Sequence, residues 1–425
     1  MADDRVRIAV IGGGLAGATL ANALVHIPCV DVHVFESASE FSERGAAVGL
    51  AKNAQLALQQ ILPSALDILA KAGAVPMNSS RIVLGSGPEA ESLILDLADS
   101  DPGLNVHRAS LLRELLAPLP KEILHSNKRL TAIDHQNPDS KSTGLELTFQ
   151  DGTVLHFDAV VGADGIFSFV RQHVLHDAPA PEQYSAVPAG FWDCRNVVPF
   201  SKAKETLGNK FFELDRQYDW VGDGAFIMHD VLENRSVVQC VVSGIEKDPP
   251  HTKDRKRPLT REILMDSLSN WLGGPIADRM IDLILDQPDP CGYSQWEHKL
   301  TPTYASKRVC LVGDAAHATT PWQGAGAGLA MEDAMVLGTL LANVSSPEEI
   351  DAAFIAYDLV RRPRCQKVID SSRETGEILC GQVALDANEL RKLLAPRWNF
   401  IFGLDMMTHK REALERLREI QLHGE

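Results

Sequence analysis

Glycines at positions 12, 14 and 17 stand in the G-x-G-x-x-G spacing, and an acid, Glu36, follows 19 residues after the last of them. Gly12 permits a tight turn, Gly14 lets backbone approach a pyrophosphate, and Gly17 lets a helix pack closely on a strand. Glu36 can accept hydrogen bonds from ribose hydroxyls. A glycine turn without a ligand is the rival reading. A second group, Gly313-Asp314 followed by Pro321, Gly324, Gly326 and Gly328, again leads into an apolar helical pattern. There the backbone N–H groups of a helix start aim at something anionic or polar. Between the two lie Arg195 and His229. The guanidinium can pair with a phenolate or carboxylate, and the imidazole can accept a phenol proton. Each has a plain alternative: an exposed strand-end arginine and a structural histidine.

The elements that must position these residues follow from periodicity. Residues 6–11 are an apolar run, an apolar segment of helical length follows the glycines, and a β-branched run ends in Glu36: strand, turn, helix, strand. Arg44, Gly45 and Gly49 sit in a loop before a helix opening at Asn53. Residues 75–100 alternate as a pair of strands, and Arg108 stands at the entrance of an amphipathic helix over 107–116. An antiparallel ribbon then leads to a buried strand, 159–161, ending in Gly162-Ala163-Asp164-Gly165. From 183 to 291 short β-like runs recur, with a polar stretch at 246–258 and a helical pattern over 260–285. A strand at 308–312, a helix over 329–341, and helical periodicity through 347–425 with Arg361, Arg362 and Arg364 on helix faces complete the chain.

These readings predict an α/β (α+β composite) protein: a Rossmann-like nucleotide-binding domain, an inserted β-sheet domain and a helical C-terminus. The expected boundaries are 1–182 and 292–375 for the first domain, with 75–100 contributing to the sheet domain, 183–291 for the insertion, and 376–425 for the C-terminal segment. Composition is that of a globular protein, 45% hydrophobic and 23% charged. The net charge of -16 argues against a nucleic-acid surface and against anionic membranes. There is no apolar run of membrane-spanning length, and the polar, acidic N-terminus lacks a leader pattern, so the expected compartment is cytoplasmic. Seven scattered cysteines without C-x-x-C spacing suit free thiols and do not support a cysteine-based metal site.

Three signatures in order, GGGLAG with Glu36, DAVVGADGIFSFVR at 158–171 and GDAAHATTPWQGAGAGLAMEDA at 313–334, resemble the class A flavoprotein aromatic monooxygenases. The likeness is to the p-hydroxybenzoate hydroxylase fold, most closely its salicylate hydroxylase-like branch, over nearly the whole chain. It implies that Gly12, Gly14, Gly17 and Glu36 hold the ADP half of FAD, that Arg44 and Arg108 contact flavin, and that Gly49 lies in a flavin-binding loop. By the same likeness Asp164 and Gly165 serve FAD and NAD(P)H, and Asp314 binds the ribityl chain. Gly326, Ala327 and their neighbours would meet the pyrimidine edge, with Pro321 beside the flavin where oxygen reacts. Trp322 stands where many relatives carry His, and Leu329 where Gln is common, which puts decarboxylating salicylate chemistry in doubt.

The resemblance implies reduction of FAD by NADPH or NADH, formation of a flavin C4a-hydroperoxide with O₂, and hydroxylation of a phenol or aromatic acid, with a polyketide-derived phenol as one candidate. Arg195 follows the first inserted strand, where relatives carry an arginine facing the pocket; with His229 and Pro321 it forms the expected catalytic set. Arg195, Phe226, His229 and Trp322 are the expected substrate contacts, Phe226 being also a core candidate. The expected partners are a small aromatic substrate and O₂, the expected assembly a monomer or homodimer. An FAD oxidase or dehydrogenase on the same scaffold, and a flavin-binding protein without turnover, are the rivals.

Overall fold

The apolar run near the N-terminus forms the strand Val6–Ile11, parallel to Val30–Phe35 on one side and to Ala159–Gly162 on the other. Val309–Leu311 continues the parallel order, giving a six-stranded sheet with Leu124–His125 and Ala305–Ser306 at its edges. The computed structural model describes residues 5–42, 47–135, 144–249 and 255–423, with the side chains of 99–102 outside the description. Val6–Ile11 is buried on both faces, as a strand covered by helices must be. Helices Leu15–Leu24 and Gly326–Leu341 meet on this sheet, and they approach so closely that a Cβ on Gly338 would stand 2.9 Å from Ala23 Cβ. The expected ribbon is the three-stranded sheet of Leu130–His135, Leu145–Phe149 and Val154–Phe157.

The second layer is a nine-stranded sheet. Its middle consists of Val187–Pro199, Val237–Ile245, Ala225–Leu232 and Gln217–Gly222, joined antiparallel. Val75–Leu84 adds parallel to Gln217–Gly222, and Leu93–His107 and Ala47–Leu50 follow antiparallel. The strands expected near 75–100 thus complete the inserted sheet, and Gly49, expected in a loop, sits in its edge strand. One face of the sheet packs on Phe200–Leu207 and Ala277–Leu285 around Trp220 and Trp271. The opposite face looks toward the first layer.

Several boundaries differ from expectation for local reasons. Cys291–Glu297 remains paired in the nine-stranded sheet, so the chain leaves that sheet only after Glu297. The helical stretch expected over 260–285 is broken after Trp271, where Gly273 takes a positive φ of 75° and Gly274-Pro275 follows. Helix Ile350–Leu379 runs unbroken past 375 with Pro363 inside it. Among the described residues no helix is long and apolar enough to cross a membrane.

Candidate active site

A cavity of about 460 Å³ lies between the two layers. At its first-layer end, Gly12 holds a φ of 110°, and a Cβ there would stand 2.3 Å from the Ala163 carbonyl oxygen. A Cβ on Gly17 would lie 2.0 Å from the Gly12 carbonyl oxygen. Both obstacles are backbone, so neither position admits a side chain. Gly14 precedes helix Leu15–Leu24 without a side-chain cap, and the first turn holds no acid. Helix Gly326–Leu341 starts in the same way after Ala325. Gly14, Leu15, Gly326 and Ala327 all line the cavity, so two helix starts turn their positive ends toward it. That arrangement fits an anionic dinucleotide with a carbonyl-bearing ring.

The other expected cofactor residues divide. Gly49, Arg108, Gly165, Asp314 and Pro321 line the cavity; Gly12, Gly17, Glu36 and Asp164 do not. Glu36 accepts the N–H of Gly13 at 2.9 Å and of Ala38 at 2.8 Å, which holds its carboxylate at the strand end beside the glycine turn. Asp164 accepts the N–H of Phe169 at 2.7 Å and of Val170 at 3.1 Å, and the Ser168 hydroxyl, so the fold uses it at the start of helix Phe169–Val174. Arg44 lies outside the described residues.

Two supports of this end had not been singled out from sequence. Arg171 is buried and donates to the carbonyls of Ala315 at 3.1 Å and Ala316 at 2.9 Å and to Thr301 Oγ1 at 2.7 Å. Burial lowers its pKa to about 10, which leaves it charged at neutral pH. The signal was present, since Arg171 closes the motif at 158–171. The second is an ion network whose centre, Glu332, Asp333, His317 and Arg361, is buried. Asp333 accepts the Gly313 N–H at 2.9 Å, His317 Nε2 at 2.5 Å and Arg361 Nε at 2.8 Å. Glu332 accepts Arg361 Nη1 at 2.7 Å, Arg364 Nε at 2.7 Å and Asn53 Nδ2 at 2.8 Å. Burial by itself would raise the Asp333 carboxyl, but the His317 and Arg361 charges overcome it and hold the group below the usual carboxylate range. The network fixes the loop carrying Asp314 to helices Gly326–Leu341 and Ile350–Leu379.

At the second-layer end, the sheet register writes the cavity wall. Asp219, Met228, Val241 and Arg195 are successive partners across four strands and share a face. Phe226, Ser243 and Asp193 form the neighbouring row, and Asp230 pairs with Gln239 on the other side. All of these residues line the cavity. Arg195 reaches it with its guanidinium held by Asp193, Nη2 at 2.8 Å and Nε at 3.3 Å from Oδ1. The Asp193 charge raises the Arg195 pKa. Trp322 and Phe226 also line the cavity, edge to face at 5.4 Å.

His229 falls on the opposite face. It stacks on Tyr218 at 5.2 Å in the core of the inserted sheet, away from the cavity, and neither ring nitrogen has a partner. Burial lowers its pKa to about 3, so it is a neutral core side chain. The next residue, Asp230, is the titratable group that the strand turns to the cavity; burial, reinforced by Asp219, pushes its carboxyl up to about 8. Burial also raises Asp219 to about 6, against the hydrogen bonds from Ser80 and Gln217.

Comparison with known proteins agrees with this geometry. The FAD-binding-domain family profile matches residues 5–372. A 6-methylsalicylate 1-monooxygenase of Aspergillus terreus is 34% identical over 98% of this chain and 93% of its own length. The salicylate hydroxylase of Pseudomonas putida is 31% identical over 97% and 95%. A solved salicylate hydroxylase substrate complex superimposes with a TM-score of 0.81 at 27% identity, covering 97% of this chain and 98% of that one. A structure of CtdE with FAD and substrate, 17% identical with a TM-score of 0.82 over 99% and 100% of the chains, shares the fold. The chain therefore belongs to the FAD-binding-domain family and is an FAD-dependent aromatic monooxygenase of the salicylate hydroxylase-like branch.

Proposed function

We propose that the chain hydroxylates a phenol or aromatic acid with electrons from NADPH or NADH. One oxygen atom of O₂ enters the ring as a hydroxyl and the other leaves as water, the two electrons coming from the nicotinamide. Bound FAD would supply the oxygen activation at its C4a position. The observation that carries this reading is the continuity of one cavity from the two glycine-bearing helix starts to the polar face of the nine-stranded sheet.

Within it the protein's own groups have separable tasks. Gly14 and Gly326 present helix starts to the cofactor, Asp314 offers a carboxylate to its sugar-like chain, and Arg108 a cation beside it. Trp322 and Phe226 give an apolar wall that keeps an aromatic ring in place and water out. Arg195 faces a ring substituent with its remaining N–H groups. The names of the relatives, salicylate and 6-methylsalicylate monooxygenases, support an aromatic substrate of this size. The test is anaerobic reduction of the bound flavin by NADPH and NADH, with and without salicylates, resorcinols and hydroxybenzaldehydes. The expected result is a many-fold acceleration by one class of ligand; no reduction by either nicotinamide under any condition would overturn the reading.

A further inference from the structure

Trp322 lines the cavity from the short turn Pro321–Gln323, and its ring is supported by a residue that does not line it. Helix Ile350–Leu379 seats this turn at two positions one helical turn apart, Ser372 and Gly376. Ser372 donates to the Thr320 carbonyl at 2.8 Å and accepts from Thr320 Oγ1 at 2.9 Å, which pins the backbone before the indole. Gly376 leaves the space against which the indole lies. A Cβ there would stand 2.4 Å from Trp322 Nε1, 2.6 Å from Cδ1 and 2.7 Å from Cε2. Near-equal distances to three consecutive ring atoms mean that the helix meets the face of the five-membered ring, not its edge. Trp322 Nε1 has no hydrogen-bond partner among the described residues, so packing alone sets the place of the ring.

We infer that Gly376 is a positioning residue that sets the width of the aromatic pocket: by admitting the Trp322 indole against the helix, it keeps that ring out of the space a substrate ring takes. The inference rests on the monooxygenase reading for the use of the cavity. Carbon atoms in contact stand about 3.5–4.0 Å apart, so a side chain at position 376 moves the indole by about 1 Å or more. The ring cannot give way into its neighbours. Phe191 at 5.0 Å and Phe226 at 5.4 Å meet it edge to face, and both are buried on strands of the nine-stranded sheet. The open direction is the cavity. A glycine inside a helix gives up helix propensity, and the ring it faces explains why it stands here. Gly376→Ala, which propensity alone would favour, therefore narrows the pocket from a position that lines neither substrate nor cofactor space.

The test compares FAD-loaded wild type, Gly376→Ala, and the double variant Gly376→Ala with Trp322→Phe. The probes are pairs of one ring and two fused rings: resorcinol against 1,3-dihydroxynaphthalene, and salicylate against 1-hydroxy-2-naphthoate. Dissociation constants are read from the perturbation of the bound-flavin absorbance, a signal that needs no turnover. In Gly376→Ala the two-ring member is expected to lose at least about tenfold in affinity relative to its one-ring partner, with FAD content unchanged. Trp322→Phe removes the obstructed ring atoms, so the double variant is expected to return the ratio to within about threefold of wild type. A role confined to stability would weaken both members together and would not be rescued in this way. A crystal structure of Gly376→Ala, which needs no ligand, is expected to show the indole displaced towards Phe226 and the cavity. An indole left in place by a helix that backs away overturns the inference, and so does an equal loss for both members of each pair or a selective loss that Trp322→Phe does not relieve. The functional reading fails on a different signal: NAD(P)H that does not reduce the flavin with any ligand.

Discussion

Arg361 is the shared donor of the buried network behind the Asp314 loop, and its removal is the sharpest structural perturbation available. Its guanidinium is fully buried and holds Glu332 and Asp333. Arg361→Met fills much of the volume but leaves two buried carboxylates with one cation fewer. Losing one partner of a buried pair costs about 3–5 kcal/mol. Here Glu332 keeps Arg364 and Asn53, and Asp333 keeps His317 and the Gly313 N–H, which puts the loss at the lower end. At about 2.1 cal/mol/K of unfolding entropy per residue, 425 residues unfolding together give about 0.9 kcal/mol/K, hence a Tm lowered by about 3 °C. If the two layers unfold separately, the fall is about twice that. The assay is thermal unfolding of FAD-loaded protein at fixed FAD, read by far-ultraviolet dichroism, with flavin release followed in parallel. Both carboxyls are held below their ordinary values. Their contribution is therefore present above pH 4 to 5 and is lost as the pH falls further, so the gap between wild type and variant narrows in acid. A variant as stable as wild type at pH 7 would refute the reasoning, because it would mean that the orphaned charges cost nothing.

Other substitutions separate the two faces of the inserted sheet and the cofactor cradle. Asp230→Asn gains stability relative to wild type as pH rises from 4 to 8: a carboxyl held near 8 keeps a proton that the unfolded chain releases near 3.8, so wild-type stability drains away across that window by a few kcal/mol. Parallel pH-dependent melting curves for the two proteins would contradict it. His229→Leu replaces a neutral, unpartnered ring in the core and is expected to leave kcat within about twofold while stability holds or rises by up to about 1–3 kcal/mol; a loss of activity of a hundredfold in a well-folded variant would return His229 to the chemistry. Gly49→Ala meets nothing closer than Asn105 Oδ1 at 3.6 Å, so the fold is expected to change by less than about 0.5 kcal/mol while FAD retention, read from the ratio of visible to ultraviolet absorbance, falls. Full FAD retention would remove Gly49 from the cofactor site.

The first layer was legible because its chemistry is local. Gly12, Gly17 and Glu36 sit within one strand-turn-helix-strand unit, and the reasons for two of the glycines are backbone contacts inside that unit or with Ala163. The polar wall was not legible. Residues 225–232, Ala-Phe-Ile-Met-His-Asp-Val-Leu, show no polar and apolar alternation, since one face packs on the sheet's own helices and the other borders the cavity between the layers. Without alternation the strand offers no phase, and His229 and Asp230 are equally good candidates from composition. Only the register to Gln217–Gly222 and Val237–Ile245 decides between them. The arginines of helix Ile350–Leu379 were recognised as helix-face residues, but Arg361 finds Asp333 at a separation of 28 residues, which no local pattern encodes. Asp164, which the resemblance implies serves FAD and NAD(P)H, also accepts the N–H groups of Phe169 and Val170, a local contact its motif does not announce.

The most direct test of the central claim is transient anaerobic reduction of the bound flavin by NADPH or NADH, with the protein saturated by each phenol in turn. The account predicts that one class of phenol or aromatic acid accelerates bleaching of the flavin band many-fold, and that admission of O₂ then yields hydroxylated ring in amounts matching the nicotinamide consumed. Flavin that stays oxidised with every nicotinamide and ligand combination, or O₂ that is returned only as hydrogen peroxide, would contradict it.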